Sequence, residues 1–226
     1  MEEFLKYEQD PNSGFPLPSA LKWNCIKGAE RLLQEGANPN IANMAGVPPL
    51  HYVLSDSSKD CLRPMLVLLQ NGANPNLSDT EGLTPLHFIV KKNDDMLAMV
   101  FFDINEELNQ LVQVDAQDKF GNTPLHLALR YDCMKLAELL LKRGVNPNLS
   151  SKEGLTSLHV ICNKTDDSDL MIFLKTFFEI NNERHELVEV NARDKFGQTP
   201  LQIAANNLLP DVVDVLFDQV HIKFFH

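Results

Sequence analysis

Four histidines, His51, His87, His126 and His159, recur at one place in a repeating phrase. Imidazoles set out this way could serve as metal ligands or as general acids and bases near neutral pH. The rest of the chain does not support either chemistry. A zinc site needs His and Cys at ligand spacing, and the sequence has no HExxH and no paired CxxC. It has no GxSxG, P-loop or GxGxxG. The four cysteines, Cys25, Cys61, Cys133 and Cys162, lack paired spacing and lie in or beside predicted helices, which points to reduced thiols. The paired carboxylates Asp94-Asp95 and Asp166-Asp167 fall in polar links between helices and read as solvated loops. The histidines are expected instead to form a ladder, each hydrogen-bonding its own or a neighbouring turn. The expectation is of no catalytic residue, no metal and no cofactor.

The elements that carry the histidines follow from the phrase itself. It reads Pro48-Pro49-Leu50-His51, Thr84-Pro85-Leu86-His87, Thr123-Pro124-Leu125-His126, Thr156-Ser157-Leu158-His159 and Thr199-Pro200-Leu201-Gln202, with its leucines 36, 39, 33 and 43 residues apart. In the most regular copy, Lys119 to Gly144, a turn at Gly121 precedes Thr123, a natural N-cap, and Pro124, which suits the first helical position. A short helix is expected from Pro124 to Tyr131, and an amphipathic one from Met134 to Arg143 with Cys133, Leu136, Leu139 and Leu140 on one stripe. Gly36, Gly72 and Gly144 stand where a helix C-terminus favours the left-handed region. Two copies have Leu111 and Leu187 in that aligned place, so their second helices are expected to end differently.

A repeat of about 33 residues carrying T-P-L-H resembles the ankyrin repeat. The resemblance implies an all-α solenoid of about six helix-turn-helix repeats with β-turn fingers. Residues 1–16 read as a loose lead-in, and 17–226 as the repeat domain. A degenerate first repeat covers 17–46, with later repeats starting near 47, 83, 122, 155 and 198. The first repeat lacks the T-P-L-H phrase but keeps a second helix, about Lys27 to Gln34. Residues 55–60 lengthen the second repeat, whose second helix is placed at Met65 to Gln70. The third and fifth repeats have long second helices, about Met96 to Gln110 and Asp169 to Arg184. They also share wording, FFDINEELNQLVQVDAQDKFG against FFEINNERHELVEVNARDKFG, so a short-plus-long pair of repeats is duplicated. That phrasing resembles expanded ankyrin families in insects. The apolar end, Phe224-Phe225-His226, either folds over the last repeat or belongs to a longer product.

The net charge of −11 argues against general nucleic-acid binding. No apolar run approaches the roughly 18 residues of a membrane span, and the N-terminus has no basic stretch leading into an apolar one. A monomer in the cytoplasm or nucleus is expected, with no membrane and no nucleic acid among its partners. The resemblance implies binding of another protein on a concave face made of turn tips and first-helix ends. Those positions hold seven basic residues, Lys91, Lys92, Lys119, Arg130, Lys152, Lys164 and Lys195, against three acidic ones, with Phe120, Tyr131 and Phe196 among them. They are the expected partner-binding residues, and an acidic or phosphorylated segment is the expected ligand. Two alternatives are an IκB-like inhibitor that masks a transcription factor through acidic outer helices, and an adaptor that recruits substrates, for which no second domain is present.

Overall fold

The structure, a computed structural model, describes residues 16–23, 25–55, 60–164 and 168–222. Among these residues there are twelve helices and no strand. They come in six pairs: α1 (Pro16–Lys22) with α2 (Ile26–Gln34), α3 (Pro49–Ser55) with α4 (Leu62–Gln70), α5 (Pro85–Lys92) with α6 (Asp95–Glu107), α7 (Pro124–Arg130) with α8 (Met134–Lys142), α9 (Ser157–Cys162) with α10 (Ser168–Glu183), and α11 (Pro200–Asn206) with α12 (Pro210–Ile222). The chain forms two compact units, 1–113 and 114–226, which meet in sequence between α6 and α7. In the first, α1 packs on α2 and α3, α3 on α5, and α4 on α6. In the second, α7 packs on α8 and α9, α9 on α11, α8 on α10, and α10 on α12. Within each unit, first helices therefore lie against first helices and second against second, so that neighbouring repeats cover one another's apolar sides. The first unit buries Leu54, Met65, Leu68, Leu86, Ile89 and Phe101; the second buries Leu125, Leu129, Leu136, Leu140, Phe173 and Phe177.

The first repeat has a first helix, α1, in addition to the second helix expected from its sequence. Pro16 and Pro18 fall in its first turn, where a missing N–H leaves no bond unmade. The lead-in up to residue 15, Asp56–Lys59 of the second repeat, Asp166-Asp167 and Phe224-Phe225-His226 lie outside the described residues. Asp94 is not a loop residue in solvent only: it caps α6, its carboxylate accepting from the N–H of Leu97 at 2.9 Å.

The T-P-L-H phrase works as a capping box with histidine in the place usually held by Glu or Gln. Thr123 Oγ1 accepts from the N–H of His126 at 3.3 Å, while the N–H of Thr123 donates back to His126 Nδ1 at 3.2 Å. Thr84 and Thr156 donate likewise to His87 and His159, each at 3.1 Å. In the last repeat Gln202 Oε1 accepts from Thr199 at 2.9 Å.

The long second helices end as the short ones do, contrary to the expectation from Leu111 and Leu187. In α4, Gly72 donates to Leu69 and Ala73 to Leu68. In α6, Asn109 donates to Glu106 and Gln110 to Asn105; in α10, His185 donates to Asn182 and Glu186 to Asn181. All are Schellman ends. Asn109 (φ 55°) and His185 (φ 57°) take the left-handed place that glycine has elsewhere. The equivalent residues lie two positions before the leucines, because each long helix inserts an extra turn. Leu111 and Leu187 are left exposed beyond it.

Asparagines then tie the second repeat to the third and the fourth to the fifth. Asn76 donates to the Leu111 carbonyl at 2.6 Å and accepts from the N–H of Gln113 at 2.7 Å. Asn148 makes the same two bonds to Leu187 and Glu189, at 2.6 and 2.7 Å.

Candidate protein-interaction surface

The histidine ladder is built into the core of each unit. His51, His87, His126 and His159 are buried. A backbone N–H can only donate, so Nδ1 of His87, His126 and His159 is the acceptor, and in the neutral ring the proton sits on Nε2. His126 Nε2 donates to the Leu155 carbonyl at 2.8 Å and His159 Nε2 to Gln198 at 3.1 Å, each bond reaching the next repeat. His51 Nε2 bonds Leu83 at 2.8 Å. Burial is the main cause lowering the pKa of His51, His126 and His159, and it keeps the rings neutral. With both nitrogens committed, His126 and His159 have nothing to offer a metal or a substrate. Among the described residues no group of His, Cys, Asp and Glu is placed to hold a metal ion. The cysteines are free thiols. Burial pushes Cys162 up to about 12 and raises Cys61 as well, the reverse of what a nucleophile requires.

The exposed chemistry lies at the turn fingers. In the second unit these are residues 118–121, 151–154 and 194–197. Asp118 Oδ1 accepts from the N–H of Phe120 and of Asn122, each at 2.8 Å. Asp194 does the same for Phe196 and Gln198, and Ser151 Oγ for Glu153 and Leu155. Neighbouring fingers are joined through the backbone, with Lys152 N–H donating to the Phe120 carbonyl at 2.8 Å and Lys195 N–H to Glu153 at 2.9 Å. Gly121 and Gly154 make this approach possible. Both have positive φ, and a Cβ on either would sit 2.7 or 2.8 Å from the next finger's backbone nitrogen.

Eight of the ten expected binding residues fall in the second unit. Phe120 is 59% exposed, Phe196 75% and Tyr131 52%. Lys119 Nζ lies 5.1 Å from the centre of the Phe120 ring, and Lys195 Nζ 5.0 Å from that of Phe196. Arg130 donates to Asn122 Oδ1 at 3.2 Å, so its guanidinium is held against the base of the first finger. Lys152 is exposed at the tip of the second. Lys164 differs from the others: its side chain is only 13% exposed and forms an ion pair with Asp132. Lys195 is ion-paired with Glu153. In the first unit, Lys91 lies over Phe88 at 5.6 Å. Lys91 and Lys92 border a cleft of about 520 Å3 with Cys61, Leu62, Met96 and Leu97.

Asp132 was not among the expected site residues. Its pairing with Lys164 spans 32 positions, and no local sequence signal marks it.

A family model described as ankyrin repeats (3 copies) matches residues 19–109, 50–151 and 96–184, together more than half the chain. The human neurogenic locus notch homolog protein 4 is 35% identical over 98 residues, covering 42% of this chain and 4% of that protein. The human transient receptor potential cation channel subfamily A member 1 is 22% identical over 201 residues, 89% of this chain and 14% of the channel. The monkeypox virus inhibitor of apoptosis OPG037 is 30% identical over 95 residues, 41% of this chain and 20% of that protein. The chain thus spans only a small part of the length of these relatives. Among solved structures, the ankyrin repeat domain of Bcl-3, a member of the IkappaB protein family, aligns with a TM-score of 0.73 at 21% identity over 92% of this chain and 87% of that one. The ankyrin repeat protein EF0377 aligns with a TM-score of 0.73 at 15% identity over 89% and 96%. With its capped helix pairs, its glycine fingers and this family match, the chain belongs to the ankyrin repeat family.

Proposed function

We propose that the chain is a non-catalytic protein-binding module, and that the fingers and first-helix ends of its second unit take up an acidic segment of another protein. Ankyrin repeats are in general an interaction fold rather than a catalytic one, and the buried, occupied histidines of this chain give no reason to depart from that. The observation that carries the reading is the chemistry of one surface. Lys119, Arg130 and Lys152 stand with Phe120, Tyr131 and Phe196 on a chain whose net charge is −11. Aromatic residues and arginine are the side chains enriched where binding energy concentrates. A positive patch on an otherwise acidic protein steers an acidic partner to that patch and repels it elsewhere. Lys164 and Lys195 contribute less free charge, since Asp132 and Glu153 neutralise them. Lys91 and Lys92 form a separate basic spot on the first unit. With no membrane-length apolar helix among the described residues, the setting proposed is the cytoplasm or nucleus.

The test is capture of a partner by the purified chain, compared with the variant Lys119→Glu, Arg130→Glu, Lys152→Glu. Capture should be lost while the melting temperature stays within a few degrees, because the three side chains lie outside the core. Capture that survives the reversal overturns the reading. A second reading, masking of a transcription factor's basic segment, draws on the exposed carboxylates Asp103, Glu106 and Glu107 of α6 and Glu179 and Glu183 of α10. It predicts the opposite outcome: capture kept in that variant and lost when those glutamates are replaced by lysine.

A further inference from the structure

The fingers of the second unit carry a regular pattern that the total charge does not reveal. The residue two places before the turn glycine is lysine in all three: Lys119, Lys152 and Lys195. The next residue is Phe120, Glu153 and Phe196. In the first unit the same two places hold Met44-Ala45 and Thr80-Glu81. Because consecutive fingers are bonded backbone to backbone, from Lys152 to Phe120 and from Lys195 to Glu153, the three lysines form one row. Each finger supplies one lysine, and that of the last finger, Lys195, turns back to pair with Glu153 of the middle one. At both ends of the row a lysine lies over an exposed phenylalanine ring.

Spacing of this kind discriminates between anions. A phosphate is a compact dianion and is held where several donors converge on one spot. Lysines carried on successive bonded fingers instead suit carboxylates spread along an extended chain. The terminal rings add apolar anchors that a lone phosphate would not use. Glu153, paired with Lys195, holds that side chain toward the middle of the row. We infer that the finger row of the second unit, Lys119-Phe120, Lys152-Glu153 and Lys195-Phe196, selects an extended, unphosphorylated segment of another protein that carries spaced carboxylates and apolar side chains. This inference rests on the proposed function and narrows its ligand.

Three labelled peptides of about 12 residues, long enough in extended form to cross the row, test it by fluorescence anisotropy on the intact chain. One has spaced glutamates and two phenylalanines, one is its Glu→Gln counterpart, and one has a single phosphoserine in neutral flanks. The acidic peptide should bind, and its affinity should fall by about tenfold or more with Glu→Gln, with added salt, and in the variant Lys119→Gln, Lys152→Gln, Lys195→Gln. The phosphopeptide should bind about tenfold or more weakly than the acidic one. The Glu→Gln comparison uses the unaltered protein, so it stands even where a variant folds poorly. A phosphopeptide that binds more tightly, with binding lost in the lysine variant, overturns the carboxylate inference and leaves the proposed function standing. An acidic peptide bound equally by the lysine variant, or not bound at all, overturns the row as its site. The function itself falls only if partner capture also survives the Lys119, Arg130, Lys152 reversal.

Discussion

Pro48 leaves the Nδ1 of His51 buried without a hydrogen-bond partner. At the equivalent position the repeats of His87, His126 and His159 have threonine, whose N–H donates to the histidine. Proline has neither that N–H nor a hydroxyl. Pro48→Thr should therefore complete the capping box of α3. Gaining the cap is worth about 0.5–2 kcal/mol, and satisfying a buried polar atom adds about 1 kcal/mol. Losing a proline restores unfolded-chain freedom at a cost of about 0.4–1 kcal/mol. The balance favours a net gain of about 1 kcal/mol, read as a higher urea midpoint with an unchanged slope. The same substitution in a His51→Ala background should lose much of that gain. An equal gain in both backgrounds would show that Nδ1 has no part in it.

Acid should loosen the fold through the same ladder. His51, His126 and His159 have folded pKa values below the ordinary 6.5, chiefly because of burial. Below pH 6.5 the unfolded chain takes up protons that the folded chain refuses. Their contribution is thus complete above that pH and is lost as pH falls toward the folded values, by up to about 1.4 kcal/mol per pH unit for each histidine. Asp115 has the opposite sign: burial raises its pKa above 3.8, so as pH falls its protonation offsets part of the histidines' loss. Denaturation at pH 7.5 and 5.5 measures the loss, and a histidine variant assigns it. His126→Gln, which copies Gln202 of the last repeat, should reduce the pH slope while keeping the capping bond to Thr123. A slope the same as the parent's would remove His126 from the account.

The parts of the fold most legible in the sequence were those set by local chemistry. Threonine, proline and glycine at fixed offsets determine helix starts and turns over a few residues, so T-P-L-H and the finger glycines could be read directly. The histidine ladder is legible for the same reason, and its bonds run to each histidine's own turn and the next. The ends of α6 and α10 are less legible, because Asn109 and His185 hold the left-handed place that glycine marks elsewhere. Asparagine tolerates that region well, and His185 is held there by its Schellman bonds. The exposed aromatics were visible as residues outside the apolar periodicity. The ion pairs of Lys164 and Lys195 were not, since each joins residues 32 and 42 positions apart. Only a structure tells which long side chain turns toward its neighbour.

The finger glycines separate backbone strain from crowding, and they link the fold to the binding row. Gly121, Gly154 and Gly197 share nearly the same φ, 75° to 77°, so alanine at any of them incurs the same left-handed penalty of about 1–2 kcal/mol. Around Gly197 an added Cβ meets nothing within 4 Å. At Gly121 it would meet the Lys152 nitrogen at 2.7 Å and Ser151 backbone atoms at 3.1 Å. Backbone cannot swing aside as a side chain can, so the fingers must part, and the 2.8 Å bond from Lys152 to Phe120 weakens. Gly121→Ala should therefore destabilise the chain by about 1–3 kcal/mol more than Gly197→Ala. It should also weaken binding of the acidic peptide under conditions where both variants remain folded, because it moves Lys119 and Lys152 apart. Urea titrations give the first comparison and anisotropy the second. If the two variants lose equal stability, the close approach of the fingers contributes nothing beyond φ. If Gly121→Ala is the less stable but binds the peptide as well as Gly197→Ala does, the spacing of the row is not what the ligand reads.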